Sequence, residues 1–183
     1  FVDVLNEHKA AGRMTLFGGS NWTMDRLDAA NDYARANGRT GFAIVSNNLS
    51  LADMVTPPWT GCIGAYGPAW RDWLLRSGVT LMPWSSQARG FFTDRSNPDD
   101  RSDAELVRCW YSPDNFQRKQ RAAQLAAQFG VSTIAIALAY VLHQPFPTFP
   151  LIGPRQLSEM RDSLAALTVK LTPDQVRWLN LET

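Results

Sequence analysis

The sequence predicts an α/β fold in which helices cover a parallel β-sheet. Short apolar runs alternate with helical periodicities four times along the 183 residues, as in repeated strand–helix units. The runs are apolar at consecutive positions instead of alternating with polar residues, which is typical of strands buried on both faces. The composition agrees, since 45% hydrophobic and 19% charged residues describe a globular domain that buries a sizeable core.

The first half of the chain contains two of these units, preceded by a helix. Gly12 follows the first helical stretch and suits a left-handed helix end. Thr23 can cap the next helix with its side-chain oxygen, and Gly38 can end that helix. The predicted elements of this half are, in order, a helix over 2–11, a strand over 14–20, a helix between Thr23 and Gly38, and a strand over 41–46.

The second half contains the other two units and a long loop. Gly130 can end one helix and Ser132 can cap the next one. Thr172 followed by Pro173 is a cap with proline in the first turn, which predicts a last short helix. The other predicted elements are a helix over 69–76, a strand over 79–84, a loop over 85–113, helices over 114–129 and 132–143, a strand over 148–153 and a helix over 157–166.

The charge and cysteine content argue against several classes of protein. The 18 Lys and Arg nearly balance the 17 Asp and Glu, unlike a nucleic-acid-binding protein with a broad basic field. The sequence has no run of about 18 apolar residues, which a membrane-spanning helix requires. Cys62 and Cys109 are too few for a disulfide scaffold and too isolated for a zinc site, so we expect a reducing, cytoplasmic compartment. The first residue is Phe1 and not Met, so we expect the chain to be part of a longer one.

The carboxyl ends of the predicted strands are the first candidates for a site, because ligands bind there in parallel α/β folds. Ser20 and Asn21 follow Gly18 and Gly19, so a sharp turn can expose a hydroxyl and an amide to a planar amide group. The same pair also suits the start of a helix. Trp84 ends the third strand and offers a flat surface on which an aromatic ring could stack, although a Trp there is also typical of a core.

Two loops at the same end of the sheet have the composition of an anion site. The loop Ser85–Gly90 combines hydroxyls, an amide, an arginine and a glycine, which suits a phosphate group but lacks the spacing of a P-loop. Gly153 and Arg155 stand just before a predicted helix, whose N-terminal dipole also favours an anion. Each loop alone is also compatible with a solvated turn. Together they predict an elongated ligand with phosphates at two places.

No complete catalytic set can be recognised in the sequence. A carbonyl reductase needs a proton donor, usually a Tyr with a lowered pKa or a His. Tyr66 and Tyr111 lie in predicted loops without a Lys or carboxylate partner at a recognisable spacing. His143 ends an apolar helix, where binding to the last carbonyls of that helix explains it better. We therefore predict no catalytic residue and no metal ligand in this chain.

Four stretches in the right order resemble the aldo-keto reductases, over about residues 10–182. They are 11–22, 83–93, 134–144, and 151–155 followed by 171–174. The resemblance implies a (β/α)8 TIM barrel that binds NADP(H) in an extended form and transfers a hydride to an aldehyde or ketone. The catalytic Asp, Tyr, Lys and His of the family belong to its first four strands, and this sequence has no match to them. Residues 1–183 would therefore form one partial domain, the C-terminal half of the barrel with strands five to eight.

The resemblance also implies contacts to the nicotinamide end of the cofactor. Ser20 and Asn21 would hold the carboxamide, and Trp84 would stack on the nicotinamide ring where the family often has Tyr. Ser46 stands where the family usually has a carboxamide-binding Gln. In that case a neighbouring side chain could substitute, and the candidates are Asn47 and Asn48.

Contacts to the rest of the cofactor follow from the same resemblance. Arg155, after Gly153, would meet the adenosine 2′-phosphate and so favour NADPH over NADH. Glu159 and Ser163 stand near the adenine, where the family commonly has Gln and Asn. The residues that would line the pyrophosphate are Ser85, Ser86, Gln87, Ala88 and Gly90.

The functional hypothesis is the NADPH-binding portion of an aldo-keto reductase that reduces aldehydes and ketones to alcohols. Its partners would be a small carbonyl substrate in the complete protein and either an N-terminal half or a second copy of the chain. We expect the chain alone to bind NADPH weakly and to reduce nothing. The alternative is a non-catalytic half-barrel that binds a nucleotide or a protein partner.

Overall fold

A computed structural model of the chain describes residues 1–182. The strands are parallel, with Gly18 beside Ile44 and Ile44 beside Thr80. Their carboxyl ends therefore meet at one edge of the sheet. The predicted parallel arrangement is confirmed, although each strand is shorter than its predicted stretch. Within these residues the sheet contains three strands, β1 (Gly18–Ser20), β2 (Ile44–Ser46) and β3 (Thr80–Leu81), in that spatial order.

Eight α-helices accompany the sheet in this part of the chain. Thr23 and Thr172 cap their helices as predicted, since the side-chain oxygens accept hydrogen bonds from Arg26 N at 3.3 Å and Gln175 N at 3.2 Å. The helices are α1 (Val2–Ala10), α2 (Met24–Ala36), α3 (Gly67–Ser77), α4 (Ala104–Trp110), α5 (Pro113–Phe129), α6 (Thr133–Leu142), α7 (Leu157–Ala165) and α8 (Pro173–Leu179), with 3₁₀ turns over Ala88–Gly90 and Ala166–Thr168.

Two predictions about helices were wrong. The segment 85–113 is not a continuous loop, because α4 lies within it and is capped by Asp103, whose carboxylate accepts from Leu106 N at 3.1 Å. Ser132 does precede α6, but it makes no capping hydrogen bond, and its hydroxyl is buried without a partner among the described residues. The predicted start of α6 is therefore correct for a different reason, namely its run of buried apolar residues.

The prediction of a fourth strand over 148–153 was also wrong. The segment runs parallel to β3 and pairs with it through one bridge, between Leu81 and Thr148. Phe149 N donates to Leu81 O at 2.9 Å, and Leu151 N donates to Pro83 O at 3.0 Å. Pro83 stands where a ladder would need an N–H to donate to Phe149 O, and Pro147 before the segment also lacks an N–H, so a continuous ladder cannot form.

The core lies between the sheet and the helices, and large apolar side chains remain exposed near the two outer edges of the sheet. The largest fully buried side chains are those of Trp110, Phe91 and Phe92. Over residues 1–182 no single helix is long and apolar enough to cross a membrane. Only α5 and α6 taken together meet that criterion within these residues, and they are bent by 98° where they join. The exposed apolar side chains include Phe1, Val4 and Leu16 on the β1 side, and Phe149, Leu151, Leu157 and Leu164 on the side of α7, while others such as Leu75 and Phe129 are exposed elsewhere.

Candidate functional site

The carboxyl ends of the strands are fastened to one another by serine hydroxyls. Ser20 Oγ donates to Ser46 O at 3.2 Å, and Ser46 Oγ donates to the carbonyl of Met82 at 2.9 Å. The close approach of β1 and β2 needs glycine, because a Cβ on Gly18 would lie 2.1 Å from the carbonyl oxygen of Ile44. Both predicted serines therefore stand at the expected edge, with their hydroxyl protons already engaged.

Asn21 turns the chain sharply after β1. Its φ angle is +55°, a left-handed conformation that Asn tolerates better than most residues. Its Oδ1 accepts a hydrogen bond from Ile63 N at 3.0 Å, and its backbone N–H donates to Ser46 O at 3.2 Å. Since the side-chain oxygen is taken, the amide nitrogen is the group that Asn21 can offer to a ligand.

Asn47 and Asn48 are both fully buried and do not face a ligand. Asn47 Nδ2 donates to Trp22 O at 2.9 Å, and its buried Oδ1 has no partner among the described residues. Asn48 Nδ2 donates to Trp84 O at 2.8 Å, and its Oδ1 accepts from the hydroxyl of Tyr66. The idea that one of them replaces a carboxamide-binding Gln therefore finds no support in their positions.

Trp84 has an aromatic neighbour that the sequence did not predict. Its indole lies 5.1 Å, centroid to centroid, from that of Trp59, and the two planes are inclined by 32°. Trp59 is half exposed and follows two prolines, Pro57 and Pro58, in the loop between β2 and α3. The Pro-Pro-Trp sequence was the available signal, but nothing in it indicates which ring Trp59 contacts.

A cavity of about 630 Å³ extends from Trp84 along the two predicted anion loops. Ser86 Oγ ties those loops together by donating to Leu151 O at 2.7 Å. Ala88 is fully buried and does not line the cavity, unlike the other predicted residues of its loop. The predicted site residues that line it are Trp84, Ser85, Ser86, Gln87, Gly90, Gly153, Arg155, Glu159 and Ser163.

The loop Ser85–Gly90 has an unusual backbone. Ser85, Ala88 and Arg89 have φ angles of +49°, +49° and +52°, a region that side chains disfavour, and Gly90 has +90°. Such strain persists only where the surroundings impose it, and it often occurs at ligand sites. Here Lys119 stabilises the segment that follows, since its Nζ lies 2.7 Å from Thr93 O and from both oxygens of Ser96.

Charged side chains around the cavity are paired in two cases. Arg89 Nε lies 2.5 Å from Glu105, and Arg95 Nη2 lies 2.7 Å from Asp103. The hydrogen bond from Leu106 N, assisted by Arg95, holds the pKa of Asp103 below its ordinary value. Sequence reasoning missed Asp103 and Glu105, because it placed them in an unstructured loop.

Arg155 differs from these two arginines. Its guanidinium forms no ion pair with any residue in 1–182, and the side chain is exposed at the cavity. Glu159 reaches back to the start of α7, where its Oε2 accepts from Arg155 N at 2.5 Å and from Gln156 N at 3.4 Å. This end of the cavity therefore offers one guanidinium that makes no ion pair, near the carboxylates of Glu159, which is bound to the helix N-terminus, and Asp162.

The tyrosine and histidine side chains are occupied in structural roles. His143 Nδ1 lies 2.8 Å from Ala139 O, and its Nε2 accepts from Leu171 N at 3.3 Å, which confirms the helix-end interpretation. Burial raises the pKa of Tyr66 and of Tyr140, which line a second cavity of about 480 Å³. A raised pKa makes a phenol a poorer proton donor, so neither tyrosine is tuned for acid catalysis.

Comparisons with known proteins relate this chain to oxidoreductases. It is 25% identical to a putative aryl-alcohol dehydrogenase of Saccharomyces cerevisiae, over 97% of this chain and 61% of that protein. It is 27% identical to an NADP⁺ aryl-alcohol dehydrogenase of Phanerodontia chrysosporium, over 93% of this chain and 44% of that protein. The chain thus spans about half the length of the curated relatives it matches.

A solved structure and a family model agree with these relatives. The crystal structure of Tm1743, a thermostable aldo-keto reductase, superposes with a TM-score of 0.68 over 100% of this chain and 53% of that one. At 17% identity this likeness shows the shared TIM-barrel-type fold alone. The model of the aldo/keto reductase family matches residues 1–180. This chain therefore belongs to the aldo/keto reductase family.

Proposed function

We propose that this chain is the cofactor-binding half of an aldo-keto reductase barrel that reduces aldehydes or ketones with NADPH. The observation that carries the proposal is the cavity between the loop Ser85–Gly90 and the start of α7, which gathers both predicted anion loops. We call these two segments, Ser85–Gly90 and Gly153–Glu159, the phosphate end of the site. The ring end consists of Ser20, Asn21, Ser46 and Trp84.

The phosphate end fits a dinucleotide. Arg155 supplies a guanidinium without a carboxylate partner in the described chain, and guanidinium groups bind phosphates by two parallel hydrogen bonds. The pyrophosphate would lie along the strained Ser85–Gly90 backbone. The amides of Ala88 and Gly90 would not serve it, because they already donate to Ser85 O at 2.8 Å and Gln87 O at 3.2 Å. Gln87 and Ser163, joined by a 3.2 Å hydrogen bond, would flank the adenine.

The ring end would hold the nicotinamide. When bound, this cofactor supplies a hydride to the carbonyl carbon of the substrate. Asn21 Nδ2 would donate to the carboxamide oxygen, because Oδ1 is already bound to Ile63 N. Trp84 would stack on the ring and fix its face. Ser46 could only accept a hydrogen bond from the carboxamide N–H, since its own proton is donated to Met82 O.

The proton donor would lie outside this chain. The pKa of Tyr66 and of Tyr140 is raised, opposite to the direction that a catalytic acid needs. The outer edge of β1 is unpaired within the described residues, and exposed apolar side chains such as Leu16 and Leu157 stand near both edges. We propose that further β/α units, or a second copy, cover these edges. The predicted cytoplasmic location stays a prediction.

Titration with NADPH, followed by calorimetry, tests the cofactor assignment. Arg155→Ala should weaken binding of NADPH about tenfold, since one charge-assisted contact is lost, and should leave NADH binding nearly unchanged. Arg161→Ala is the matched control, because Arg161 is exposed on α7 but does not line the cavity. Equal losses for NADPH and NADH would contradict the proposed role of Arg155, and no binding of either would contradict the function.

Turnover tests the absence of the proton donor. The names of the relatives make an aromatic aldehyde the first substrate to try. We expect no oxidation of NADPH by this chain with that aldehyde, measured by the absorbance of the reduced nicotinamide. Measurable turnover by the purified chain would show that it contains its own acid.

A further inference from the structure

One loop contacts both halves of the ring end. We call residues Pro57–Ile63 the Trp59 loop. Its aromatic side chain lies against Trp84, with the ring centroids 5.1 Å apart. At its other end, Ile63 N donates to Asn21 Oδ1 at 3.0 Å. The loop therefore connects two residues that follow different strands, β1 and β3, and that the proposed function assigns to the same nicotinamide group.

The Trp59 loop is itself held in place by α4. Arg108 donates from Nη1 to Pro57 O at 2.7 Å and from Nη2 to Pro58 O at 3.2 Å. Just before the loop, Val55 N donates to Cys109 O at 2.8 Å. Within the loop, Cys62 N donates to Trp59 O at 3.4 Å and closes a turn. These contacts make the loop a fixed support and not a freely moving cover.

The positions of the two indoles indicate which side of Trp84 is supported. Trp84 lines the cavity, whereas Trp59 does not, so Trp59 contacts Trp84 from outside the cavity. A ring could not fit between them, because two successive contacts of about 3.5 Å need about 7 Å between the outer rings. A planar ligand must therefore stack on the part of Trp84 that faces the cavity.

We infer that Trp59 is a positioning residue for cofactor binding, and that the Trp59 loop orients Trp84 and Asn21 together toward the nicotinamide. This inference rests on the proposed function. Trp59 holds the plane of the Trp84 indole, and Ile63 N fixes the side-chain amide of Asn21 so that Nδ2 points away from the loop. The backbone of Trp84 is held separately, by Asn48 Nδ2.

Two ligands separate this role from a general effect on folding. NADPH contains the nicotinamide ring, and adenosine 2′,5′-bisphosphate shares its adenine and 2′-phosphate but lacks the ring. Trp59→Ala should weaken NADPH binding about two- to tenfold, the range of one aromatic contact, without changing binding of the bisphosphate. Trp59→Phe should restore part of the affinity, because a smaller ring can still contact Trp84.

Two further variants sharpen the test. Arg108→Ala frees the Pro57 and Pro58 carbonyls without touching Trp84, and it should weaken NADPH binding in the same direction by a smaller factor. Phe129→Ala is the control, since Phe129 is an exposed aromatic residue at the end of α5 that lines neither described cavity. It should change the affinity for neither ligand.

Each result of these titrations has one interpretation. A loss for NADPH alone supports the positioning role. If Trp59→Ala leaves NADPH binding unchanged, the positioning role is overturned. If Trp59→Ala binds NADPH more tightly, the role is also overturned, because Trp59 then blocks the nicotinamide ring. Equal losses for both ligands overturn it as well, because they indicate a general structural effect. In those cases the proposed function stands, because the bisphosphate and NADPH still bind the wild-type chain. If neither ligand binds the wild-type chain, the proposed function fails and this inference with it.

Discussion

The two ends of the site differ in what their polar groups already bind. At the ring end, the hydroxyls of Ser20 and Ser46 and the side-chain oxygen of Asn21 all have partners within the protein. At the phosphate end, Arg155 is exposed and forms no ion pair in the described residues. The ring end is thus part of the folded framework, whereas the phosphate end keeps a charge available for a ligand.

This difference predicts different consequences of mutation. Removing a buried polar side chain that supports the ring end, such as Asn48, leaves its partners without that hydrogen bond, which costs about 1–3 kcal/mol for each group. Removing an exposed charge at the phosphate end costs little stability, because water replaces the lost partner. Unfolding experiments should therefore be most informative about the ring end, and binding experiments about the phosphate end.

The largest expected effect is that of Asn48→Leu, directly behind Trp84 of the ring end. This buried amide donates to Trp84 O at 2.8 Å and accepts from the hydroxyl of Tyr66. Leucine has a similar volume but no polar atoms, so Trp84 O would lose its side-chain donor and the buried Tyr66 hydroxyl would lose the acceptor of its proton. We expect the free energy of unfolding in urea to fall by about 3 kcal/mol.

Asn37→Leu provides the comparison for that measurement. Asn37 is exposed after α2, and its Nδ2 donates to Tyr33 O at 2.8 Å, which water can replace. Its loss should cost less than about 1 kcal/mol. A similar cost for the two substitutions would show that the ring end is no more tightly built than the surface.

The sequence predicted the helices better than the strands and loops. Apolar spacing with caps such as Thr23 is a local signal, and α2 begins directly after that residue. Pro147 and Pro150 were a local signal against a fourth strand, but the apolar composition of the segment outweighed them. Asp103 before α4 was a recognisable cap as well, hidden by the polar residues around it.

The candidate site was predictable as a region but not as a set of contacts. Both anion loops follow strand ends, and parallel strands bring their carboxyl ends together, so the shared cavity follows from topology. The partner of each side chain is a different matter. Ser86 binds a carbonyl 65 residues away, and Asn48 binds one 36 residues away. No local pattern encodes such pairs, and for the same reason Trp59 could not be assigned to Trp84.

Lys119→Met should have an intermediate effect and connect the two ends of the comparison. The ammonium group is half-buried, burial lowers its pKa, and it binds Thr93 O and both oxygens of Ser96. Without it, these carbonyls lose a charged donor next to the strained loop. We expect a loss of about 2 kcal/mol in unfolding free energy and weaker binding of adenosine 2′,5′-bisphosphate.

Lys170→Met is the matched control, since Lys170 is exposed and the structure gives it no hydrogen bond within residues 1–182. Stability and bisphosphate binding should both stay at the wild-type level in this variant. If Lys119→Met loses stability but keeps its full affinity for the bisphosphate, the loop does not depend on Lys119 for its binding geometry.

The smallest expected effect concerns Asp103, which lines the cavity beside the phosphate end, and depends on pH. Its carboxylate caps α4 through Leu106 N and pairs with Arg95, whose Nη1 also donates to Arg89 O at 3.2 Å. Because these contacts lower the pKa of Asp103 in the folded chain, its ionised form adds stability above the ordinary value of 3.8. That contribution is lost as the pH falls through the folded pKa.

Asp103→Asn isolates the charge, since asparagine is also a good cap. We expect the variant to be less stable than wild type by about 1 kcal/mol at pH 6, and the difference to shrink as the pH falls through the folded pKa of Asp103 and its carboxylate becomes protonated. Urea unfolding at a series of pH values measures it. If the stability difference between the variant and wild type is the same at every pH, the carboxylate charge is irrelevant. In that case α4 is held at the cavity by packing of Leu106 and Trp110 alone.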